Sequence, residues 1–231
     1  MVPSTPKPVT IPPLENGDSL TRHEFERRYH AMPHLKKAEL IEGIVYTTPT
    51  VRFRTHGEPH AHLGGCLGVY AAYTENVSIA SNPTLRLDWD NEPQPDVVLY
   101  VEENAGGQTY ISEDDYLEGA PELIVEIAAS TASIDLHAKK QAYRRNGVKE
   151  YIVWQVLDEK LSWFYLENGE YLDLPADDDG VLRSQVFPGL WLAATELLAG
   201  NMQQVLAVLQ SGLSSVEHQT FVGNSISDPD N

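Results

Sequence analysis

Two carboxylates and one ammonium carry the chemistry this sequence offers. Asp96 opens an apolar run, Pro95-Asp96-Val97-Val98-Leu99-Tyr100-Val101. Glu126 lies inside another, Glu122-Leu123-Ile124-Val125-Glu126-Ile127-Ala128. Lys139 follows in the basic, amphipathic segment Asp135-Leu136-His137-Ala138-Lys139-Lys140. Burying an unpaired carboxylate is expensive, so an acid in a strand-like apolar run needs a partner. Hard divalent cations such as magnesium take carboxylate oxygens, backbone carbonyls and water. Asp96 and Glu126 are therefore candidate ligands of one magnesium ion, with manganese as the alternative. The Ile127 carbonyl is a further candidate ligand. A metal held there lowers the pKa of a bound water and stabilises a phosphorane-like transition state. Lys139 is the candidate cation to orient that water or meet developing charge.

Each residue also has a plainer reading. An aspartate after a proline commonly caps a turn. A glutamate in an apolar strand is often half of a structural ion pair. Asp135 and Lys139 are four apart, the spacing of an ordinary helix-surface pair. His60 reads as an N-terminal helix residue, and with His56 and His62 beside it no single histidine marks a zinc site. Cys66 lies mid-helix among apolar residues and reads as core. Ser130-Thr131 lacks the strand-turn-helix context of a serine nucleophile. Gly64-Gly65 and Gly68 follow no strand, so they form no dinucleotide fingerprint.

The elements that must position these residues follow from pattern. Thr21 and Glu24 have capping-box spacing and start a helix over 21–32, ended by Pro33. Strands are expected at 38–41 and 44–48 across a Glu42-Gly43 turn. Residues 49–59 read as a loop and 60–75 as a helix with Leu63, Leu67, Tyr70 and Ala71 on one face. Strands follow at 77–80, 84–88 and 96–101, then an acidic connection over 102–121. In the strand at 123–128, Leu123, Val125 and Ile127 point one way and Ile124, Glu126 and Ala128 the other. A helix over 133–146 ends at Asn146-Gly147. Strands at 151–156, 161–166 and 171–174, the last two joined by an Asn168-Gly169 turn, lead to a Pro-Gly pair within 186–192 and a helix over 195–210. This order defines one α/β domain over 19–211, built on a mixed sheet. A Pro-rich, flexible stretch precedes it at 1–18, and a polar, disordered tail over 212–231 follows.

Composition narrows the function classes. The chain of 231 residues carries a net charge of −18, which argues against general affinity for polyanions. Acids concentrate at 88–103 and 157–179, while Lys139, Lys140, Arg144, Arg145 and Lys149 lie on one helix and its exit. A local basic surface that meets phosphates is compatible with that distribution. The single cysteine excludes an internal disulfide and fits a reducing, cytoplasmic setting. No apolar run approaches the ~20 residues of a membrane span.

An ordered set of short segments resembles the Uma-two family of restriction-endonuclease-like proteins, within the PD-(D/E)XK nuclease superfamily. The segments are Leu20-Thr21-Arg22-His23-Glu24-Phe25, Ala38-Glu39-Leu40-Ile41-Glu42-Gly43, His60 opening a helix, and Pro95-Asp96-Val97. Then come Ala120-Pro121-Glu122-Leu123-Ile124-Val125-Glu126-Ile127, Asp135 with Lys139 and Tyr143, Gly147-Val148-Lys149-Glu150-Tyr151, and Phe187-Pro188-Gly189-Leu190. The resemblance implies a restriction-endonuclease-like core, a mixed β-sheet flanked by helices. It implies that Asp96 and Glu126 are the motif acids and metal ligands. The usual superfamily lysine falls two residues after the glutamate, where this chain has Ala128, so the resemblance assigns that role to Lys139 on the next helix. It adds Glu39 and His60 as site residues, DNA as substrate, and pairing of two copies as a homodimer. Ile44 departs from the family, whose members often carry an acid there.

The resulting expectation is a magnesium-dependent endonuclease hydrolysing DNA phosphodiester bonds. Two other classes compete with it: a catalytically silent nuclease-fold binding or regulatory module, and a metal-dependent hydrolase of small phosphorylated molecules. Geometry discriminates them. A nuclease requires Asp96, Glu126 and Lys139 to converge in an open cleft.

Overall fold

In the computed structural model, residues 11–47 and 52–226 are described. Helix α1 (Arg22–His30) starts where Thr21 accepts the Glu24 N–H on its hydroxyl. The Glu24 carboxylate turns to Arg27 and Arg28 instead of closing the reciprocal box. Strands β1 (Ala38–Ile41) and β2 (Ile44–Thr47) form a hairpin. Glu42 and Gly43 both adopt positive φ there, as a two-residue hairpin turn of this hand requires.

The stretch expected as a loop over 49–59 is helical from Phe53. A π-helical turn, Phe53–Gly57, runs straight into α2 (Glu58–Ala72). Pro59 follows the π-helical turn and occupies the first turn of α2 without ending the helix. Residues 48–51, at the junction of the expected strand and loop, lie outside the described residues.

Next come β3 (Val77–Ser81), β4 (Leu85–Arg86), β5 (Val97–Val101), β6 (Tyr110–Ile111), β7 (Leu117–Glu118) and β8 (Leu123–Ala128). A short helix, α3 (Ala132–Ile134), a second π-helical turn (Asp135–Lys139) and α4 (Lys140–Asn146) cross over to β9 (Glu150–Gln155). Then follow β10 (Lys160–Glu167), β11 (Glu170–Asp173), β12 (Val181–Arg183) and β13 (Trp191–Ala193). The expected helix over 195–210 is two, α5 (Ala194–Leu198) and α6 (Met202–Leu213), because Gly200 takes a left-handed conformation between them.

The main sheet has six strands in the order β11-β10-β9-β8-β5-β3. Only β8 and β9 pair in parallel; the other neighbours are antiparallel, so the sheet is mixed. Its two faces separate by parity along β8. Leu123, Val125 and Ile127 pack with Leu63, Leu67 and Tyr70 of α2 and with Val205 and Leu209 of α6. Ile124 and Ala128 pack on the opposite face with Tyr143 of α4 and with Tyr151 and Val153 of β9. Glu126 shares the parity of Ile124 and Ala128, so it faces the crossover that carries Lys139.

The acidic connection over 102–121 is not bare. Its β6 and β7 join β4 in a small three-stranded sheet. Arg86 anchors this sheet, with Glu26 at 2.9 Å, Asp114 at 2.9 Å, Glu118 at 3.1 Å and the Tyr116 ring 4.1 Å away. Buried Glu92 lies beside this cluster. Burial and the adjacent Glu26 carboxylate push its carboxyl up to about 8. Glu92 Oε2 and Glu26 Oε1 both lack a hydrogen-bond partner among the described residues. A carboxyl whose folded pKa lies above its unfolded value costs stability as pH rises from the unfolded to the folded value. Glu92→Gln should therefore leave the melting temperature near that of the parent at acidic pH and exceed it by a few degrees above about pH 8. Thermal melts of both proteins across that range check this.

The tail expected to be disordered from 212 is helical to 226. Gly212 and Leu213 complete α6, and α7 (Val216–Ile226) follows. Composition misled because a few residues do the docking: Leu213 and Phe221 pack into the core, and buried His218 bonds across to the chain just after α2. His218 Nδ1–H donates to Leu213 O (2.9 Å), its Nε2 lies 2.9 Å from Thr74 Oγ1, and its ring meets the Tyr70 ring edge-on. Residues 1–10 and 227–231, the ends of the two stretches expected to be flexible, lie outside the described residues. Among the described residues no helix is long and apolar enough to cross a membrane.

Candidate active site

The antiparallel register of β5 and β8 pairs Val97 with Val125, and one further step sets Asp96 beside Glu126. Both carboxylates are buried, Asp96 2 % and Glu126 3 % exposed. The Ile127 N–H donates to Asp96 Oδ2 at 2.7 Å, so the residue after one acid holds the other. Asp96 Oδ1 is left without a hydrogen-bond donor. His56 Nε2 lies 3.1 Å from that oxygen, outside hydrogen-bonding geometry, and Lys37 Nζ lies 3.8 Å away.

Lys139 closes the other side. It is 4 % exposed, and its Nζ lies 3.0 Å from Glu126 Oε1, 2.9 Å from Glu39 Oε1 and 3.5 Å from Asp135 Oδ1. The Asp135–Lys139 spacing that also suits a surface pair is therefore a buried one. Tyr143 O–H also donates to Glu126 Oε1, at 2.8 Å. Glu39 arrives on β1, which the Leu40–Glu92 bridge ties to the segment before Asp96. The Gln94 N–H fixes Glu39 Oε1 at 2.8 Å.

His60 acts on the backbone. Its Nε2–H donates to the Asp96 carbonyl at 2.9 Å, with Ser81 Oγ at 3.2 Å. The His56 ring stacks on His60 with centroids 5.9 Å apart. These two histidines are one helical turn apart, a spacing hidden while 49–59 read as loop. His56 and Lys37 are the contacts to Asp96 that the sequence did not single out.

Electrostatics divides the acids. Burial works to raise Asp96, but the His56 contact, the Lys37 charge and the Ile127 N–H outweigh it and hold the carboxyl below its usual range. Burial pushes Glu126 up to about 8 against the pull of Lys139, with Asp135, Asp96 and Glu39 adding to the rise. Burial likewise raises Asp135. Burial alone would lower Lys139, yet Glu126, Glu39 and Asp135 hold it well above its usual range. Several acids share one ammonium, so the cluster keeps Lys139 charged while burial favours the protonated form of Glu126.

These groups line a cleft of about 540 Å³. Arg52, Thr55, Asn82, Ser130, Thr131 and Leu157 complete its walls. The donor set suits a hard divalent ion: two adjacent carboxylates, one with an unpartnered buried oxygen, at an open cleft. Among the described residues no three His, Cys, Asp or Glu side chains close on one point in ligand geometry. Magnesium does not require that, because it keeps several waters and takes one or two carboxylates.

The basic helix expected to meet phosphates is spent within the chain. Arg144 pairs with Glu170, Arg145 with Glu42 and Lys149 with Glu122, and Lys140 lies over the Phe164 ring.

A mixed sheet flanked by helices, with an acid-lined cleft at the ends of its central strands, places the chain among the nuclease-like α/β folds. The chain belongs to the Uma2 family, described as "Putative restriction endonuclease", whose family model matches residues 23–195. Its fold is similar to the crystal structure of a "putative nuclease belonging to DUF820" from Anabaena variabilis, with a TM-score of 0.56. That match is 11 % identical and covers 75 % of this chain and 96 % of the other. At that identity the likeness is one of fold. No curated protein matches the chain.

Proposed function

We propose that the protein is a magnesium- or manganese-dependent endonuclease that hydrolyses DNA phosphodiester bonds. One observation carries this reading: Asp96, Glu126, Glu39 and Lys139, from four separate elements, meet in one open cleft. Asp96, Glu126 and the Ile127 carbonyl would hold the ion. When bound, it supplies Lewis-acid stabilisation of the phosphoryl oxygens and an acidified water. The chain's own residues do the positioning. Ile127 N–H and His60 fix Asp96, Tyr143 and Lys139 fix Glu126, and Gln94 fixes Glu39. Lys139 keeps positive charge at the cleft floor, next to where the attacking water would be oriented.

A silent binding module is the second reading, favoured by the fact that Lys139 faces three carboxylates. For Lys139 to orient water, one of those contacts must be given up.

Incubation of the full chain with supercoiled plasmid and with a single-stranded DNA tests the proposal. Cutting is expected with magnesium or manganese at low salt, none in EDTA, and a modest fall with salt, as few phosphate contacts would give. A folded protein that cuts neither DNA with either ion overturns the proposal.

A further inference from the structure

We infer that the rim of this cleft is a single-strand platform, with Phe53 stacking on an unpaired DNA base and Arg52 and Arg54 meeting the flanking phosphates. The inference rests on the nuclease reading and names its substrate class. Phe53 is 73 % exposed on the π-helical turn Phe53–Gly57, three residues before His56. That turn packs against the Val156–Asp158 turn, where Leu157 is 65 % exposed and lines the same cleft. Two adjoining turns thus each present a large apolar side chain to solvent, Leu157 on the cleft wall and Phe53 in the chain between Arg52 and Thr55, which line it. Arg52 lines the cleft, both arginines are exposed, and among the described residues no ion pair holds either one. They contrast with the arginines of α1 and α4, which are paired within the chain.

Magnitudes favour a single strand over a duplex. Duplex binders neutralise roughly 6–10 phosphates, and this rim offers two free arginines. Glu58, Asp158 and Glu159, exposed on the same turns, and the net charge of −18 oppose a high charge density further. Stacking must therefore carry much of the affinity. One base on an aromatic ring is worth roughly 5- to 150-fold in binding and tolerates any sequence.

Fluorescence anisotropy with one labelled DNA strand, its duplex and the matched RNA strand tests this. The Glu126→Gln chain in magnesium keeps the DNA uncut, and the parent in EDTA is measured beside it. The DNA strand should bind tightest. Adding Phe53→Ala should weaken it by roughly 5- to 150-fold and leave the duplex unchanged. Phe53→Trp should restore binding, and Arg52→Ala with Arg54→Ala should flatten the salt dependence by a slope of about 1.4. Tighter binding of duplex or RNA, indifference to Phe53→Ala, or no binding in either condition overturns the inference. Cutting of the single-stranded DNA by the parent separates the two readings. Cutting without a Phe53 effect removes only the platform, whereas a Phe53 effect without cutting removes only the nuclease.

Discussion

Asp96→Asn and Glu126→Gln should each lower metal-dependent DNA cleavage by about a thousandfold with the fold retained, because losing a metal contact forfeits several kcal/mol of transition-state stabilisation. Both substitutions keep the acceptors the structure uses. An asparagine oxygen still takes the Ile127 N–H, and a glutamine oxygen still takes Lys139 and Tyr143. What each removes is a negative charge at the place where a cation would sit. Glu126→Gln also imitates the protonated carboxyl that burial already favours, so its melting temperature should be close to the parent's. Cleavage rates beside thermal melts measure both effects. Parental cutting rates in these variants would identify the activity as a contaminant's and remove the site assignment.

Lys139→Met should destabilise the protein by about 3–5 kcal/mol, the usual result of stripping the partner from a buried charge cluster. Glu39, Glu126 and Asp135 all lie within 3.5 Å of its ammonium, and all are buried. The sign with pH follows. Lys139 has its folded pKa raised, so its own contribution is fully present below the free-lysine value and persists across neutral pH. Without it Glu126 and Asp135, already raised by burial, rise further, bind protons more tightly folded than unfolded, and cost stability as pH increases from the free-carboxyl range. The deficit against the parent should therefore be small near about pH 5 and largest above about pH 8. Urea unfolding at both ends of that range reads it. A deficit independent of pH would mean the lysine is packing, not charge, and would reassign it. Lys139→Arg keeps the charge and should recover part of the loss.

The sequence by itself determined the frame of the site. Alternation along 123–128 fixed which face Glu126 would take, since successive residues of a strand point to opposite sides. The expense of burying lone acids singled out Asp96 and Glu126, the basic segment after them offered Lys139, and the ordered segments added Glu39 and His60 to the candidates. Local pattern also gave most strand positions, because hydrophobic periodicity is a property of neighbouring residues.

Only the tertiary structure decided how these residues meet. The two π-helical turns, at Phe53–Gly57 and Asp135–Lys139, aim His56 and Lys139 into the cleft. No propensity marks such a turn, because the packing around it selects the extra residue. Lys37 and His56 became site residues through approach in space to Asp96, and the arginines of α4 ceased to be candidates because Glu42 and Glu170 came to them. The helix in the polar tail formed for the same reason, with Phe221 packing on the core and His218 finding Thr74 far away in the chain. Periodicity records which way a residue faces; which partner waits there depends on long-range pairing, and charge, burial and pKa follow from that partner.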